Sequence, residues 1–210
     1  MDLEPAARSA WSTRLKWLAI LLIVQCLYFP INRIMKGGVI LEIPWDAYFP
    51  LRPVWIAPYL LSLAWWTGCY IWAAWKMADR AYQALFISVI TVALISYAIY
   101  ILYPTYVVRP AVEPDGLASR WVVHLYANDR VNNAFPSGHT YNTVLVTLYW
   151  SRFYPRGRPL WVAIAVVILL STLYTRQHNL PDLLGGIVLA CFGYWFGLWW
   201  TGRHQMEAVS

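Results

Sequence analysis

Two histidines stand at the margins of long apolar runs, where helices would begin or end at a membrane surface. His139 lies in Ala-Phe-Pro-Ser-Gly-His-Thr, residues 134–140, and His178 in Thr-Arg-Gln-His-Asn-Leu-Pro-Asp, residues 175–182. Asp182 follows His178 by four residues. Two imidazoles, a carboxylate, a Ser-Gly turn and nearby arginines match what phosphoryl transfer requires. That chemistry needs a nucleophile, an acid for the leaving group, donors for the nonbridging oxygens and a means of positioning.

Each group has a chemical reading and a plainer one. Pro136 suits the first turn of a helix, where its missing N–H costs nothing, and Asn133 is a candidate cap just upstream. The N–H groups around Ser137 and Gly138 are then free at the positive end of a helix dipole, an arrangement that binds phosphate. Gly138 permits close approach of a ligand and Ser137 adds a hydroxyl donor. The plainer reading is an ordinary capped helix start. Leu180 precedes Pro181, which disfavours helical geometry there, so His178 is expected just outside a helix with Asp182 in its first turn. A carboxylate on one ring nitrogen fixes the tautomer and frees the other nitrogen as a nucleophile. The plainer reading is an acid that favours a helix N-terminus. Arg109 and Arg176 offer charged forks for phosphate oxygens, or else snorkel to lipid head groups. Two histidines and an aspartate also suit zinc, but no spacing typical of zinc proteins occurs and no metal is expected. His124, Asp129 and Arg130 fall near the same surface without an assignable role. Gln25, Asn142 and Thr143, inside apolar runs, line a polar cavity or pair between helices.

The elements that must position these groups are membrane helices. The 210 residues are 60% hydrophobic and 12% charged, about half the charge of a soluble domain, with 14 Trp and 15 Tyr. Six runs approach the ~20 residues that cross a bilayer core: 16–35, 54–75, 82–103, 139–155, 159–176 and 181–201. The fourth is the weakest, being interrupted by His139, Asn142 and Arg152. The expectation is an all-α polytopic bundle forming one integral membrane domain over residues 1–210, its first span retained and not cleaved. Cys26, Cys69 and Cys191 fall in separate apolar stretches and are expected to be buried and inert. Residues 36–53 are expected to lie along the interface, and residues 104–138 to include a helical stretch with Trp121, Val122, Leu125 and Tyr126 on one face.

Six spans put both termini on one side with the 76–81 and 152–158 loops. That side carries Arg8, Arg14, Lys16, Lys76, Arg80, Arg152, Arg156, Arg158 and Arg203 against Asp2, Glu4, Asp79 and Glu207. The other side carries seven basic residues (Arg33, Lys36, Arg52, Arg109, Arg120, Arg130, Arg176) against six acids (Glu42, Asp46, Glu113, Asp115, Asp129, Asp182). The basic excess places the termini in the cytoplasm and both histidine clusters toward the periplasm, exterior or lumen. The net charge of +6 is scattered through short loops, which fits topology and not nucleic acid.

With these residues in order, the chain resembles the phosphatidic acid phosphatase type 2 superfamily of membrane lipid phosphatases and phosphotransferases. That family carries Lys-x6-Arg-Pro, Pro-Ser-Gly-His and Ser-Arg-x5-His-x3-Asp. Here stand Arg109-Pro110, then Pro136-Ser137-Gly138-His139, then Ser171 with His178 and Asp182 at matching spacing. The resemblance implies that His178 forms a phosphohistidine, Asp182 orients it and His139 protonates the departing oxygen. It implies that Arg109, Ser137 and Gly138 hold the phosphate, with no cofactor. Two positions depart from the pattern: Leu102 stands where the first lysine belongs and Thr172 where the third motif has arginine. Arg176 is the candidate replacement for one. The Arg-x-His-x3-Asp pattern, with Ile-Pro-Trp-Asp-Ala-Tyr-Phe-Pro (43–50) and Leu-Leu-Gly-Gly (183–186), looks more like the sphingomyelin synthase and inositol phosphorylceramide synthase branch.

The resemblance thus implies a lipid phosphate as partner within the bilayer. Hydrolysis of a lipid phosphate monoester at the outer surface is the first expectation. Transfer of a head group to an acceptor lipid is the alternative, and the loss of two cations leans toward its less charged diester substrate. A non-catalytic transporter or scaffold is the rival from another class. Retention of both histidines and the aspartate speaks against it, since such groups are costly in apolar surroundings without use.

Overall fold

The computed structural model describes residues 11–207, with side chains through Gly202. Asp2, Glu4 and Arg8, and the side chains of Arg203, His204 and Glu207, lie outside what is described. The helices are α1 (Trp11–Cys26), α2 (Tyr28–Ile34), α3 (Ile56–Lys76), α4 (Asp79–Leu102), α5 (Leu117–Asn128), α6 (Gly138–Phe153), α7 (Arg158–Tyr174) and α8 (Leu180–Glu207). Short 3-10 turns occupy Pro44–Tyr48, Pro53–Trp55 and Pro155–Gly157. Two isolated β-bridges, Val39 with Thr105 and Tyr106 with Asn132, are the extended pairing among the described residues.

Five helical stretches among the described residues are long and apolar enough to cross a membrane: Trp11–Ile34, Pro53–Lys76, Asp79–Leu102, Pro155–Tyr174 and Leu180–Gly202. They correspond to five of the six expected runs, and this architecture fits an integral membrane protein. The fourth expected run forms α6, of 16 residues. At ~1.5 Å per residue that is about 24 Å, against a hydrocarbon core of about 30 Å. The polar breaks that weakened this run belong to a helix enclosed by others. Thr140, Tyr141, Asn142, Thr143, Leu145, Val146, Tyr149 and Trp150 are all buried, and α6 packs on α8, α7, α4 and α3. A helix that touches protein on most sides has no need of a continuous apolar surface.

The first run divides at Leu27. Pro30 has no N–H to donate to the Cys26 carbonyl, so the ladder is interrupted there and α2 restarts the helix. At the centre, α4 lies against α8. Side chains built on Gly193 and Gly197 would overlap Val92 and the Ala84–Ser88 backbone turn. Ser88 Oγ donates across this seam to the Gly193 carbonyl at 2.7 Å and meets Tyr149 Oη at 2.9 Å. Small residues at such a crossing replace the hydrophobic drive that lipid cannot supply.

The cysteines depart from expectation. Cys69 is buried, but Cys26 and Cys191 are exposed on the outer faces of α1 and α8. Apolar sequence around a thiol signals surroundings of hydrocarbon, which lipid supplies as well as a protein interior does. Polar Gln25 and Asn142 pair between helices (Nε2 to Oδ1, 3.3 Å), and Thr143 Oγ1 accepts from Trp66 Nε1 at 3.1 Å.

Candidate active site

The two histidine motifs meet because one backbone bond and two glycines bring their helix starts together. The Ser137 N–H donates to the Asp182 carbonyl at 3.0 Å. A Cβ on Gly185 would run into the Phe135 ring, and one on Gly186 would come within 2.7 Å of Thr140 Cβ and 2.9 Å of the Ser137 carbonyl. The Gly-Gly pair of α8 therefore lets the start of α6 lie directly on it. The imidazole centres of His139 and His178 are then 6.1 Å apart. The two rings are therefore close enough to face one small group.

His178 precedes α8, and Asp182 lies in the first turn, as the Leu180-Pro181 step implied. His178 Nδ1 faces Asp182 Oδ2 at 3.6 Å, longer than a hydrogen bond. Asp182 Oδ2 also accepts from the Asn179 N–H at 2.8 Å, and Asp182 is almost wholly buried. The carboxylate thus lies on the Nδ1 edge, which leaves Nε2 as the ring atom directed elsewhere. The turn before it is fastened on several sides. The N–H groups of Gln177 and His178 both donate to the Thr172 carbonyl, at 3.0 and 3.2 Å. The Arg52 N–H donates to the Tyr174 carbonyl at 2.8 Å, and Tyr126 Oη to the Thr175 carbonyl at 2.8 Å. Arg176 takes a left-handed backbone conformation (φ 51°) within this turn.

At the start of α6 the cap is Ser137, whose Oγ accepts from the Thr140 N–H at 3.2 Å. Asn133 is not the cap, and Pro136 precedes the helix instead of opening it. The serine wins because it stands directly before the first helical residue, Gly138. The N–H groups of Gly138 and His139, in the first turn, have no intrahelical carbonyl within reach. His139 itself is enclosed by aromatic rings. Tyr59 stacks on it at 4.3 Å and Trp66 meets it edge-on at 5.0 Å. Its Nε2 is buried without a hydrogen-bond partner.

Arg109 arrives from the other direction. Nη1 donates to the Asp129 carbonyl at 2.6 Å, and Nη2 to the Arg130 carbonyl at 3.2 Å and to Gln177 Oε1 at 2.5 Å. Its guanidinium lies over the Tyr126 ring at 4.7 Å. The Arg109–Gln177 bond ties it to the residue next to His178. Arg176 goes elsewhere: Nη2 pairs with Glu42 Oε1 at 2.6 Å and Nη1 donates to the Asp46 carbonyl at 3.3 Å. It fastens the 42–48 segment to the turn. Asp46 completes that attachment by accepting the Leu180 N–H at 2.7 Å through Oδ1.

Asp129, left without a role by the sequence, enters the same neighbourhood. Oδ1 accepts from Tyr28 Oη at 2.9 Å, and Oδ2 is 3.9 Å from Arg109 Nη2. Burial lifts its carboxyl above the usual aspartate range, opposed by Arg109, by the Tyr28 hydrogen bond and by the charge of His178. Burial likewise pushes the Tyr126 phenol up to about 12 against the pull of Arg109 and Arg176, so it stays a neutral donor. Tyr59 and Trp66 on α3, Asp46 and Asp129 lie far along the chain from the two histidine motifs, and Gln177, though beside His178, belongs to no spacing that assigns it a role. The Trp-Asp pair at 45–46 and the glutamine beside His178 were the available signals.

Residues 54–196 match the family model of the PAP2 superfamily, and the chain belongs to that superfamily. No curated protein and no solved structure matches it significantly. Members are generally phosphatases or phosphotransferases, so membership points to a phosphatase-type function.

Proposed function

We propose that this protein cleaves the phosphate ester of a membrane lipid through a phosphohistidine on His178. The observation that carries the reading is the pair of imidazoles 6.1 Å apart, one with Asp182 against its Nδ1 edge. His178 Nε2 attacks phosphorus, the bond from phosphorus to the lipid oxygen breaks, and that oxygen takes a proton from His139. Water then attacks the phosphohistidine and gives its proton to His139. The phosphorus–nitrogen bond breaks, and inorganic phosphate leaves. Asp182 stabilises the charge on the His178 ring. Arg109, Ser137, Gly138 and the free N–H groups at the start of α6 hold the nonbridging oxygens. Arg176 joins them only by leaving Glu42. No metal takes part in these steps.

Hydrolysis is the first reading, because family membership supports a phosphatase. Head-group transfer is the second. It is favoured by a specific observation: with Arg176 held by Glu42 and Asp129 beside Arg109, the site carries few uncompensated cations. In both readings α6 counts as a sixth span, the termini are cytoplasmic and the site faces outward.

Purified protein in mixed micelles would be given labelled lipid phosphates, with and without an acceptor lipid and with and without a chelator. Free phosphate identifies hydrolysis and a new labelled lipid identifies transfer. Loss of turnover with chelator would reject the metal-free steps. His178→Ala should abolish both turnover and covalent labelling of the protein; wild-type turnover in that variant would end the reading. The two histidines have opposed duties, one needed as base and one as acid, so kcat/KM should be bell-shaped in pH. A flat profile across neutral pH would contradict this.

A further inference from the structure

Several donor or acceptor atoms near the histidines are buried without partners, among them Arg109 Nε, Gln177 Nε2, His139 Nε2, Thr140 Oγ1, His178 Nδ1 and Asp182 Oδ1. Buried polar atoms in a folded protein are almost always bonded, and a cluster of exceptions calls for an explanation. Arg109 Nε and Gln177 Nε2 lie on side chains bonded to each other. Arg109 is a donor only, so the amide of Gln177 must turn its oxygen toward Nη2. The orientation of the amide is thereby fixed, and its NH2 group is directed away from the arginine. Gln177 is 4% exposed, and the Arg109 side chain 7%. Gln177 is also joined to His178 through the chain, with both N–H groups on the Thr172 carbonyl.

We infer that the Gln177 amide NH2 is a direct donor to a nonbridging oxygen of the substrate phosphate, paired with Arg109 Nε and preset by the Arg109–Gln177 bond. The inference rests on the phosphohistidine reading and adds a substrate-binding residue to it. A neutral amide here supplies a hydrogen bond without a charge. The chain has Thr172 and Leu102 where the related motifs have cations, so such a donor keeps the oxygen satisfied at lower positive charge. The partner it recognises is any tetrahedral phosphate oxygen, and lipid-borne phosphate and inorganic phosphate present the same atom.

The test uses full-length protein and orthovanadate, a mimic of the transferring phosphoryl group, with inhibition of lipid phosphate turnover as the readout. Gln177→Glu keeps the acceptor for Arg109 and removes the donor. Gln177→Met removes both. Melting temperature is followed for each. A direct donor role predicts that both variants weaken vanadate inhibition by about tenfold or more, as for a lost hydrogen bond to a charged group, with Gln177→Glu the weaker binder. Because Gln177→Glu also sets a negative charge beside the arriving anion, the discriminating comparison is made in an Arg109→Ala background. A residue that only positions Arg109 has nothing left to position there, so Gln177→Met having no further effect on vanadate inhibition overturns the inference. So does wild-type inhibition in Gln177→Met itself. If the methionine variant does not fold, Gln177→Ala takes its place in both comparisons. Failure of the underlying reading looks different: the wild-type protein itself would then acquire no covalent label dependent on His178.

Discussion

At the scale of single residues, the proposed phosphate site sets Arg109 against the acid beside it. Arg109 is within 3.9 Å of the Asp129 carboxylate, and a phosphate arriving at the same guanidinium meets that negative charge. Asp129→Asn keeps an oxygen for Tyr28 and removes the charge, so the KM for an anionic lipid should fall several-fold with kcat little changed. Steady-state kinetics on micellar substrate would check this, and an unchanged or higher KM would contradict it. The pH dependence has a definite sign. Burial raises the Asp129 carboxyl above its ordinary range, so as the pH falls this group loses its charge sooner than an exposed aspartate would. The local field then becomes more positive and KM should fall on the acidic side. Asp129→Asn, being neutral throughout, should lack that limb. The same raised group favours the folded state in its protonated form, a contribution present at low pH and lost as the pH rises through the folded-state value.

At the scale of elements, the two histidines are aligned by contacts that have no chemistry of their own. Gly186 faces the Ser137 carbonyl and Thr140, while Gly185 faces the edge of the Phe135 ring. A ring can swing aside and a backbone carbonyl cannot. Gly186→Ala should therefore cost about 1–3 kcal/mol by overpacking and lower kcat sharply, with Gly185→Ala milder on both. Thermal unfolding and turnover measured together would show whether the order holds. Asp46 acts from outside the bundle: it accepts the Leu180 N–H and lies in the segment that Arg176 grips. Asp46→Ala strands a buried donor at the start of α8, at about 1–3 kcal/mol, and loosens the turn that carries His178. Its expected signature is a loss in kcat and in melting temperature, only partly restored in Asp46→Asn, whose single oxygen can take over from one of the two carboxylate oxygens that accept the Leu180 and Ile43 N–H groups. A variant that melts and turns over like wild type would show that the 42–48 segment is not part of the support. Some of this architecture could be read in advance. Five of the six apolar runs form membrane-length helices among the described residues, and the Leu180-Pro181 step located His178 just ahead of α8. Asn133 is a candidate cap for α6 because propensity ranks asparagine with serine, and only the fold shows that Ser137 is the residue immediately before the first turn. Asp46 and Asp129 reach the site through chain separations that no local spacing encodes.

At the scale of the whole molecule, sidedness decides which pool of lipid the site can meet. The charge count behind the proposed cytoplasmic termini includes Arg14, and the structure gives that arginine a second duty. It is buried, donates to the Ala74 and Met77 carbonyls at 2.7 and 2.9 Å, and pairs with Asp79. It therefore closes the corner between α3 and α4 and is not free to meet lipid head groups. The sidedness must then rest on the remaining cations, chiefly Lys16, Lys76, Arg80 and the Arg152–Arg158 loop. On the opposite end, Tyr48 and Leu117 are 78% and 75% exposed, positions where a probe can attach without entering the core. After Cys26, Cys69 and Cys191 are changed to serine, single cysteines at Tyr48, Leu117 and Arg156 would be offered a membrane-impermeant maleimide in intact cells. Labelling at 48 and 117, and at 156 only after lysis, is the expected pattern. The reverse pattern would turn the site toward the cytoplasm, and the substrate pool with it, while leaving the chemistry at His178 intact. Labelling at all three positions in intact cells would mean that α6 does not carry the chain across, since the 152–158 loop then shares a side with the site. Because α6 is about 24 Å long by its rise per residue, that outcome is the sharpest test of whether a buried, polar-edged helix can complete the sixth crossing.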